Sequence, residues 1–282
     1  MRRSLVAALA AVLTVSAPAW AEDCGAPRIS VFAGAVKKLA SDRGVSVAAA
    51  ADMLHGVGVR GFDADVRDAD LPALAATRLR PINLYFFPNM LGPDNGAADC
   101  RLCFDTAERF RVPRVMIVPS NFTEGGDRSA EFGRIVSSMK MFVAEGRRRG
   151  ITVTVEDFGG TENPCSYATY LKRLLDEVPG LCFALDSGNL LYAGRGEDIL
   201  DMMAYAKGRV AHVHLKDQRP ENHRRYETLG LGAVPNERIV KAVAAGGYDG
   251  WYTLENFVGD VLADAVRQVG VLKLWLSEKA GE

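Results

Sequence analysis

Four residues that could bind a metal ion or transfer a proton end four apolar segments of the sequence. They are Glu156 in TVTVEDFGG, Asp186 in CFALDSGN, His214 in VAHVHLKD and Glu255 in WYTLENF. Spacings of 30, 28 and 41 residues separate them, and each leaves room for a strand and a crossover helix. The pattern predicts parallel strands that deliver the four side chains to one place.

The register within these segments places the four side chains on one face of the predicted sheet. Residues two positions apart share a face of a strand, so each candidate ligand has a small or polar neighbour below it. These neighbours are Thr154, Ala184, His212 and Thr253. We interpret His212 as a core histidine with hydrogen-bond partners. The opposite face is apolar, as expected for the helix-covered outside of a barrel whose chemistry lies at the C-terminal strand ends.

Three carboxylates and one imidazole suit a divalent cation, and the sequence leaves Mn²⁺, Mg²⁺, Co²⁺ and Zn²⁺ open. Such an ion could accept two adjacent oxygens of a hydroxy-ketone or hydroxy-aldehyde and stabilise an enediolate as a Lewis acid. A glutamate beside the substrate could then remove and return a proton. This chemistry predicts proton transfer next to a carbonyl.

Eight apolar strand segments alternate with amphipathic helical segments along residues 22–282. The predicted strands are 29–33, 58–63, 79–87, 113–119, 150–156, 181–186, 210–215 and 250–255. The predicted helices include 46–55, 130–149, 166–177, 199–207 and 236–245. An open doubly wound sheet would place a glycine-rich phosphate loop after an early strand, and the sequence has none. We therefore expect a single-domain α/β protein with a (β/α)8 TIM barrel.

Residues 1–21 have the pattern of a cleavable signal peptide. Arg2 and Arg3 precede an apolar run over 5–15 that is too short to span a bilayer as a helix. Ala19-Trp20-Ala21 fits a small-x-small cleavage site, so the mature chain is predicted to begin at Glu22. We expect an exported, periplasmic protein without stable membrane insertion.

The charge balance argues against a nucleic-acid partner. The chain has 34 Lys and Arg against 35 Asp and Glu, which gives a formal net charge of −1. Nucleic-acid binders need a basic surface that neutralises phosphates. We expect a small carbohydrate as the partner, while the sequence leaves the oligomeric state open.

The segments VEDFGG, ALDSGN, HVHLKD, LGLGAVPNERI and GYDGWYTLE resemble the xylose isomerase-like TIM barrel superfamily. This is the sugar phosphate isomerase/epimerase group, which also includes endonuclease IV. The resemblance covers most of residues 22–282 and is densest from 150 to 257. It implies that Glu156, Asp186, His214 and Glu255 bind one metal and that the two glutamates act as acid and base.

The sequence departs from that superfamily at one position. Many relatives have histidine where this chain has Asn189, which can hydrogen-bond a substrate hydroxyl but is a poor metal ligand. Endonuclease IV needs a histidine-rich cluster of three metals, and this chain has four histidines in all. The resemblance therefore favours the sugar isomerases over the nuclease.

Further residues near the predicted strand ends are candidates for substrate binding. Lys216 lies just beyond His214 and could hold a substrate oxygen or neutralise the carboxylates. His223 and Arg224 stand in a predicted loop after strand seven, where they could contact an anionic or polyol substrate or only solvent. Asp157 faces away from the candidate ligands, which predicts a helix-cap or loop role.

The leading hypothesis is a metal-dependent isomerase or epimerase of a small carbohydrate. The alternatives are a dehydratase of a keto-cyclitol or dehydroshikimate-like substrate and a noncatalytic exported sugar-binding protein. An acid/base pair at Glu156 and Glu255 argues against simple binding. Because phosphorylated sugars are mostly cytoplasmic, export favours a free sugar, a cyclitol or a sugar acid.

Overall fold

Eight parallel strands close into a barrel in a computed structural model that describes residues 27–278. Ten strands are present among these residues, and two of them, Asp217–Arg219 and Asn222–Glu227, form a separate antiparallel hairpin. The strands are β1 (Arg28–Phe32), β2 (Gly61–Asp65), β3 (Arg80–Phe86), β4 (Arg114–Ile117), β5 (Thr152–Glu156), β6 (Cys182–Asp186), β7 (Val210–Leu215), β8 (Asp217–Arg219), β9 (Asn222–Glu227) and β10 (Trp251–Leu254). Around the barrel the order is β1-β10-β7-β6-β5-β4-β3-β2.

Helices connect successive barrel strands and cover the outside of the sheet. They are α1 (Ala33–Arg43), α2 (Val47–Gly56), α3 (Leu71–Ala75), α4 (Ala97–Arg109), α5 (Arg128–Arg149), α6 (Ala168–Glu177), α7 (Asn189–Tyr192), α8 (Asp198–Tyr205), α9 (Asn236–Ala245) and α10 (Val261–Ser277). Ser46, Asp127 and Asp260 cap α2, α5 and α10 by accepting backbone N–H bonds in the first turn. Within residues 27–278, no helix combines the length and the apolarity that a membrane crossing requires.

The two faces of each strand differ as their alternating pattern predicts. Val155, Val213 and Leu254 are fully buried in the main hydrophobic core between the sheet and the helices. Thr154 and Thr253 are equally buried on the inner face, where their hydroxyl groups donate to the Val115 carbonyl on β4 and to the Asp63 carboxylate on β2. Burial of each large apolar side chain contributes about 1.5–3 kcal/mol, so the outer layer stabilises the barrel while the inner layer is free to be polar.

The predicted (β/α)8 fold class is confirmed, and the main differences lie in two segments. Strand two begins at Gly61 rather than at 58, because Gly58 has a φ of 111° and completes the turn that ends α2. The segment after β7 is a β-hairpin rather than a loop. The predicted signal peptide over 1–21 and the mature start at Glu22 lie outside the described residues.

Candidate active site

The four predicted ligands lie at the C-terminal ends of four consecutive barrel strands. In the closed sheet β5, β6, β7 and β10 are neighbours, and Asp186 is paired in register with His214. Glu156 is the last residue of β5, and Glu255 directly follows β10, where its N–H donates to the Leu215 carbonyl at 2.9 Å. The side chains therefore form an arc with a glutamate at each end.

Three of these residues form a compact cluster. Glu156, Asp186 and His214 each offer a ligand atom, and the three atoms lie within 4.8 Å of one another. His214 Nδ1 is 2.6 Å from Glu156 Oε1. Asp186 Oδ1 accepts the backbone N–H groups of Gly188 and Asn189 at 2.9 and 2.7 Å, and its Oδ2 faces Lys216 Nζ at 3.2 Å.

The fourth predicted ligand, Glu255, lies outside this 4.8 Å group and pairs with Lys216 instead. Lys216 Nζ is 2.7 Å from Glu255 Oε2 and 3.2 Å from Asp186 Oδ2. Both carboxylate oxygens are buried, and neither accepts a directional hydrogen bond within residues 27–278. Carboxylate oxygens with open lone pairs, next to an imidazole, are a donor set that fits a divalent cation.

Neighbouring carboxylates offset the effect of burial on the two basic side chains of the cluster. Burial alone would lower the pKa of His214, but Glu156 and Asp63 raise it well above its usual value. Burial likewise opposes the charge on Lys216, yet Asp186 and Glu255 raise its pKa and keep it an ammonium. Each cation is thus held by two carboxylates.

The carboxyl groups respond in opposite directions. Burial, reinforced by the charges of Glu255 and Glu156, raises the pKa of Asp186 well above its usual range. Burial also opposes ionisation of Glu255, but the charge of Lys216 holds its pKa below the ordinary value. Because both share one ammonium, they titrate as a pair.

Asp63 at β2 is a central member of the site that the sequence reasoning missed. Its carboxylate is fully buried and accepts hydrogen bonds from Asn83 at 2.8 Å, Thr253 at 3.0 Å, His212 at 2.7 Å and His214 at 3.1 Å. Burial would raise its pKa, but the two histidines hold it well below the usual range. The available signal was an acid at the end of the predicted strand 58–63.

His212 is a buried core histidine with partners, as its position in the sequence predicts. Its Nε2 donates to Asp63, while its Nδ1 accepts from Arg114 Nη1 at 3.1 Å. Since a guanidinium only donates, these contacts select the neutral tautomer with the proton on Nε2. Burial lowers the pKa of His212 to about 4.

Two residues beside the cluster support the end of β6. Asp157 lies in the loop after β5, as expected, but it caps no helix among the described residues. It is fully buried, and its Oδ1 accepts the Asp186 N–H at 2.8 Å. Burial, together with the charge of Glu156, raises the pKa of Asp157 well above the usual value.

Asn189 donates its side-chain amide N–H to the Asp157 carbonyl at 2.8 Å. A contact between the Asn189 side-chain oxygen and a substrate stays a prediction.

His223 and Arg224 lie on β9, the second strand of the hairpin that follows β7. His223 is partly buried and Arg224 is exposed, with its guanidinium 5.7 Å from the Tyr192 ring of α7. The contact of His223 and Arg224 with a substrate therefore stays a prediction.

Aromatic side chains line the mouth next to His214. The Phe32 ring is 5.0 Å from the His214 ring and 5.3 Å from Tyr85, and Phe87 continues the row to Phe158. Phe87 is 48% exposed, which places the outer end of the row in solvent. Polar and apolar surfaces therefore meet at one opening.

A (β/α)8 barrel with carboxylate, imidazole and ammonium groups at its C-terminal strand ends defines an enzyme of the TIM barrel type. A family model described as xylose isomerase-like TIM barrel matches residues 19–275. The chain therefore belongs to the xylose isomerase-like TIM barrel family, which confirms the resemblance seen in the sequence.

Known proteins similar to this chain include epimerases and dehydratases. An inosose dehydratase of Geobacillus thermodenitrificans (strain NG80-2) is 28% identical over 129 residues, which is 39% of this chain and 43% of that protein. The match thus spans less than half of this curated relative.

Two solved structures share the fold over most of their length. An L-ribulose 3-epimerase has a TM-score of 0.71 and is 14% identical to this chain. The match covers 90% of this chain and 96% of the epimerase. A probable 3-DHS dehydratase from Bacillus anthracis has a TM-score of 0.68 and is 15% identical to this chain. The match covers 87% of this chain and 98% of the dehydratase. At such identities the likeness shows the fold, on which sugar isomerase/epimerase-like and dehydratase enzymes are both built.

Asp63→Asn should weaken metal binding at the cluster. The variant keeps the shape of the side chain but loses the charge that orients His214, and loss of such a supporting carboxylate costs about 10–100-fold in metal affinity. Titration calorimetry with Mn²⁺ measures the dissociation constant. Asp65→Asn is the matched control, since it removes a carboxylate at the end of β2 whose Oδ1 accepts the Arg67 N–H at 2.7 Å. Equal affinities of the two variants would contradict this role of Asp63.

His212→Gln should remove part of the acid sensitivity of folding. The folded protein keeps this imidazole neutral down to about pH 4, whereas in the unfolded chain it binds a proton below about 6.5. The unfolded state therefore binds more protons in this window, and stability falls as the pH falls. Between pH 8 and pH 5 the wild type should lose about 2 kcal/mol that the variant retains, as measured by urea unfolding. The same pH dependence in both proteins would refute this assignment.

Proposed function

We propose that this protein is a metal-dependent isomerase or epimerase of a small carbohydrate. The reaction is proton transfer at the carbon next to a carbonyl, through an enediolate. Glu156 and Glu255 are the acid and base, and Asp186 and His214 complete the metal site with them. The xylose isomerase-like family and the epimerases among the similar structures support this class of activity.

One observation carries the proposal: two glutamates stand at opposite ends of the strand-end arc, each with its own cationic partner. Glu156 contacts His214 at 2.6 Å and Glu255 contacts Lys216 at 2.7 Å. The two carboxylates therefore lie on either side of the strand-end arc, which is the placement that an acid and a base on either side of a substrate require.

The residues of the chain supply binding, orientation and proton positions. Asp63 holds His214 from below, and Asp157 together with the backbone after β6 orients Asp186. Glu156 and Glu255 are the carboxylates at which a proton is taken up or returned. A divalent ion on these ligands would supply Lewis-acid polarisation of substrate oxygens.

The aromatic and polar side chains at the barrel mouth suit a carbohydrate that has both an apolar and a hydroxylated face. The aromatic row that begins at Phe32 can pack against the C–H face of a sugar or cyclitol. Asn189, His223 and Arg224 are proposed to contact its hydroxyl or anionic groups, and Arg224 is positioned on the hairpin near Tyr192.

The second candidate is a dehydratase of a keto-cyclitol or dehydroshikimate-like substrate. The match to an inosose dehydratase and the fold shared with a probable 3-DHS dehydratase favour it. Both reactions begin with removal of a proton beside a carbonyl. They differ in whether a β-hydroxyl group then leaves as water.

We propose that the enzyme is exported to the periplasm after cleavage behind Ala21, on the basis of its N-terminal sequence. Free sugars, cyclitols or sugar acids are then its substrates rather than sugar phosphates. N-terminal sequencing of the purified periplasmic protein tests this, and a mature chain that retains residues 1–21 would refute it.

Incubation with Mn²⁺ and a panel of ketohexoses and inososes in D₂O tests the reaction. An isomerase or epimerase incorporates deuterium without losing water, whereas a dehydratase incorporates it with water loss. Glu156→Gln and Glu255→Gln should each lower the exchange rate about 10²–10⁴-fold, because an amide cannot carry the proton. NMR of the sugar C–H signals measures the rate.

Glu162→Gln is the matched control, since Glu162 lies in the loop after β5 and pairs with Arg128 at the surface. Its exchange rate should equal that of the wild type. Undiminished exchange in Glu156→Gln would exclude the proposed role of that residue.

A further inference from the structure

Lys216 is a buried ammonium at the centre of the acidic cluster. Its side chain is 5% exposed, and Nζ lies between Glu255 Oε2 at 2.7 Å and Asp186 Oδ2 at 3.2 Å. Asp186 is fully buried and Glu255 is 22% exposed. The lysine therefore joins one member of the compact cluster to the glutamate that stands outside it.

The two oxygens that face Lys216 are also those that remain open for a metal ion. Neither Asp186 Oδ2 nor Glu255 Oε2 accepts a directional hydrogen bond from the residues that the structure describes. The other oxygen of Asp186 is already committed to two backbone N–H groups. An ammonium and a metal ion would thus draw on the same lone pairs.

The fold holds the backbone of Lys216 in place and leaves room for its stem. Ser187 Oγ contacts both the N–H and the carbonyl of Lys216 at 3.1 Å, and Asn236 donates to the same carbonyl at 3.0 Å. At Gly188, an added Cβ would come within 2.7 Å of Lys216 Cγ and 3.1 Å of Cδ. The glycine thereby allows the aliphatic stem to cross the end of β6 on its way to the carboxylates.

We propose that Lys216 is a built-in competitor of the metal ion. The ammonium holds Asp186 and Glu255 together while no ion is bound, and an ion can take these oxygens only by displacing it. Lys216 is therefore a positioning residue that stabilises the metal-free protein and weakens its affinity for divalent cations. This inference rests on the metal site of the proposed function.

Two opposing electrostatic effects follow from this arrangement. Without the ammonium, the buried carboxylates of the cluster repel one another, so the metal-free protein becomes less stable. The same loss removes both the competing cation and its repulsion of the incoming ion, so metal binding becomes tighter. A residue that merely maintained the shape of the site would change stability and affinity in the same direction.

Lys216→Met tests the proposal because methionine keeps much of the unbranched stem and has no charge. Titration calorimetry of the full mature chain with Mn²⁺ should give a dissociation constant at least about tenfold lower than that of the wild type. Thermal unfolding without metal should show a Tm about 5 °C lower or more. The rise in Tm on adding Mn²⁺ should be larger in the variant, because tighter binding to the folded state stabilises it more.

Lys241→Met is the matched control. Lys241 also bridges two carboxylates, Glu237 and Glu278, at 2.6 Å each, but it lies at the surface on α9. Its Mn²⁺ affinity should equal that of the wild type. If Lys216→Met is insoluble, Lys216→Gln serves the same test, since its amide is neutral and can still donate to a carboxylate.

The outcomes separate this inference from the proposed function. A wild type that binds Mn²⁺ and a Lys216 variant that binds it equally or more weakly would overturn the competition and leave the metal site intact. A wild type without Mn²⁺ binding beside a variant that binds would support the competition and count against metal dependence. Absence of binding in both would overturn both.

Discussion

Compensation of buried charge is the constraint on which this site depends. Glu156, Asp186 and Asp63 are all buried inside the barrel end. A buried carboxylate without a partner is costly, so each must meet a cation or a set of N–H and O–H donors. His214 and Lys216 supply the positive charge, and their positions decide how the acids are oriented. The arrangement of the carboxylates in the site is therefore determined by the positions of the two basic side chains that compensate their charge.

The site has two connected layers. In the deeper layer the Asp63 carboxylate accepts hydrogen bonds from His212, Asn83 and Thr253. His214 belongs to both layers, because its Nε2 contacts Asp63 and its Nδ1 contacts Glu156. A residue that touches no substrate can thus set the position and protonation of a group that does. Residues inside the barrel, such as Asp63, thus orient the residues at the strand ends.

The mouth of the barrel is built from different elements than the proton-transfer groups. Aromatic rings from β1, β3 and the segments after β3 and β5 form one side, while α7 and the hairpin of β8 and β9 lie at the other. Loops on a TIM barrel can vary without disturbing the strand ends. Substrate choice and the choice between isomerisation and dehydration can therefore differ between relatives that share one fold and one cluster.

The sequence by itself determined the strands and the arc of Glu156, Asp186, His214 and Glu255. This worked because side-chain alternation is local and parallel strand ends in a barrel meet at one edge. It did not determine the place of Asp63, whose bond to His214 joins residues 151 positions apart. Nor did it determine where the ammonium of Lys216 lies, because a flexible side chain takes its direction from the charges and the space around it. Only the closed barrel brings those charges together, so the tertiary structure decided which acid faces an imidazole and which an ammonium.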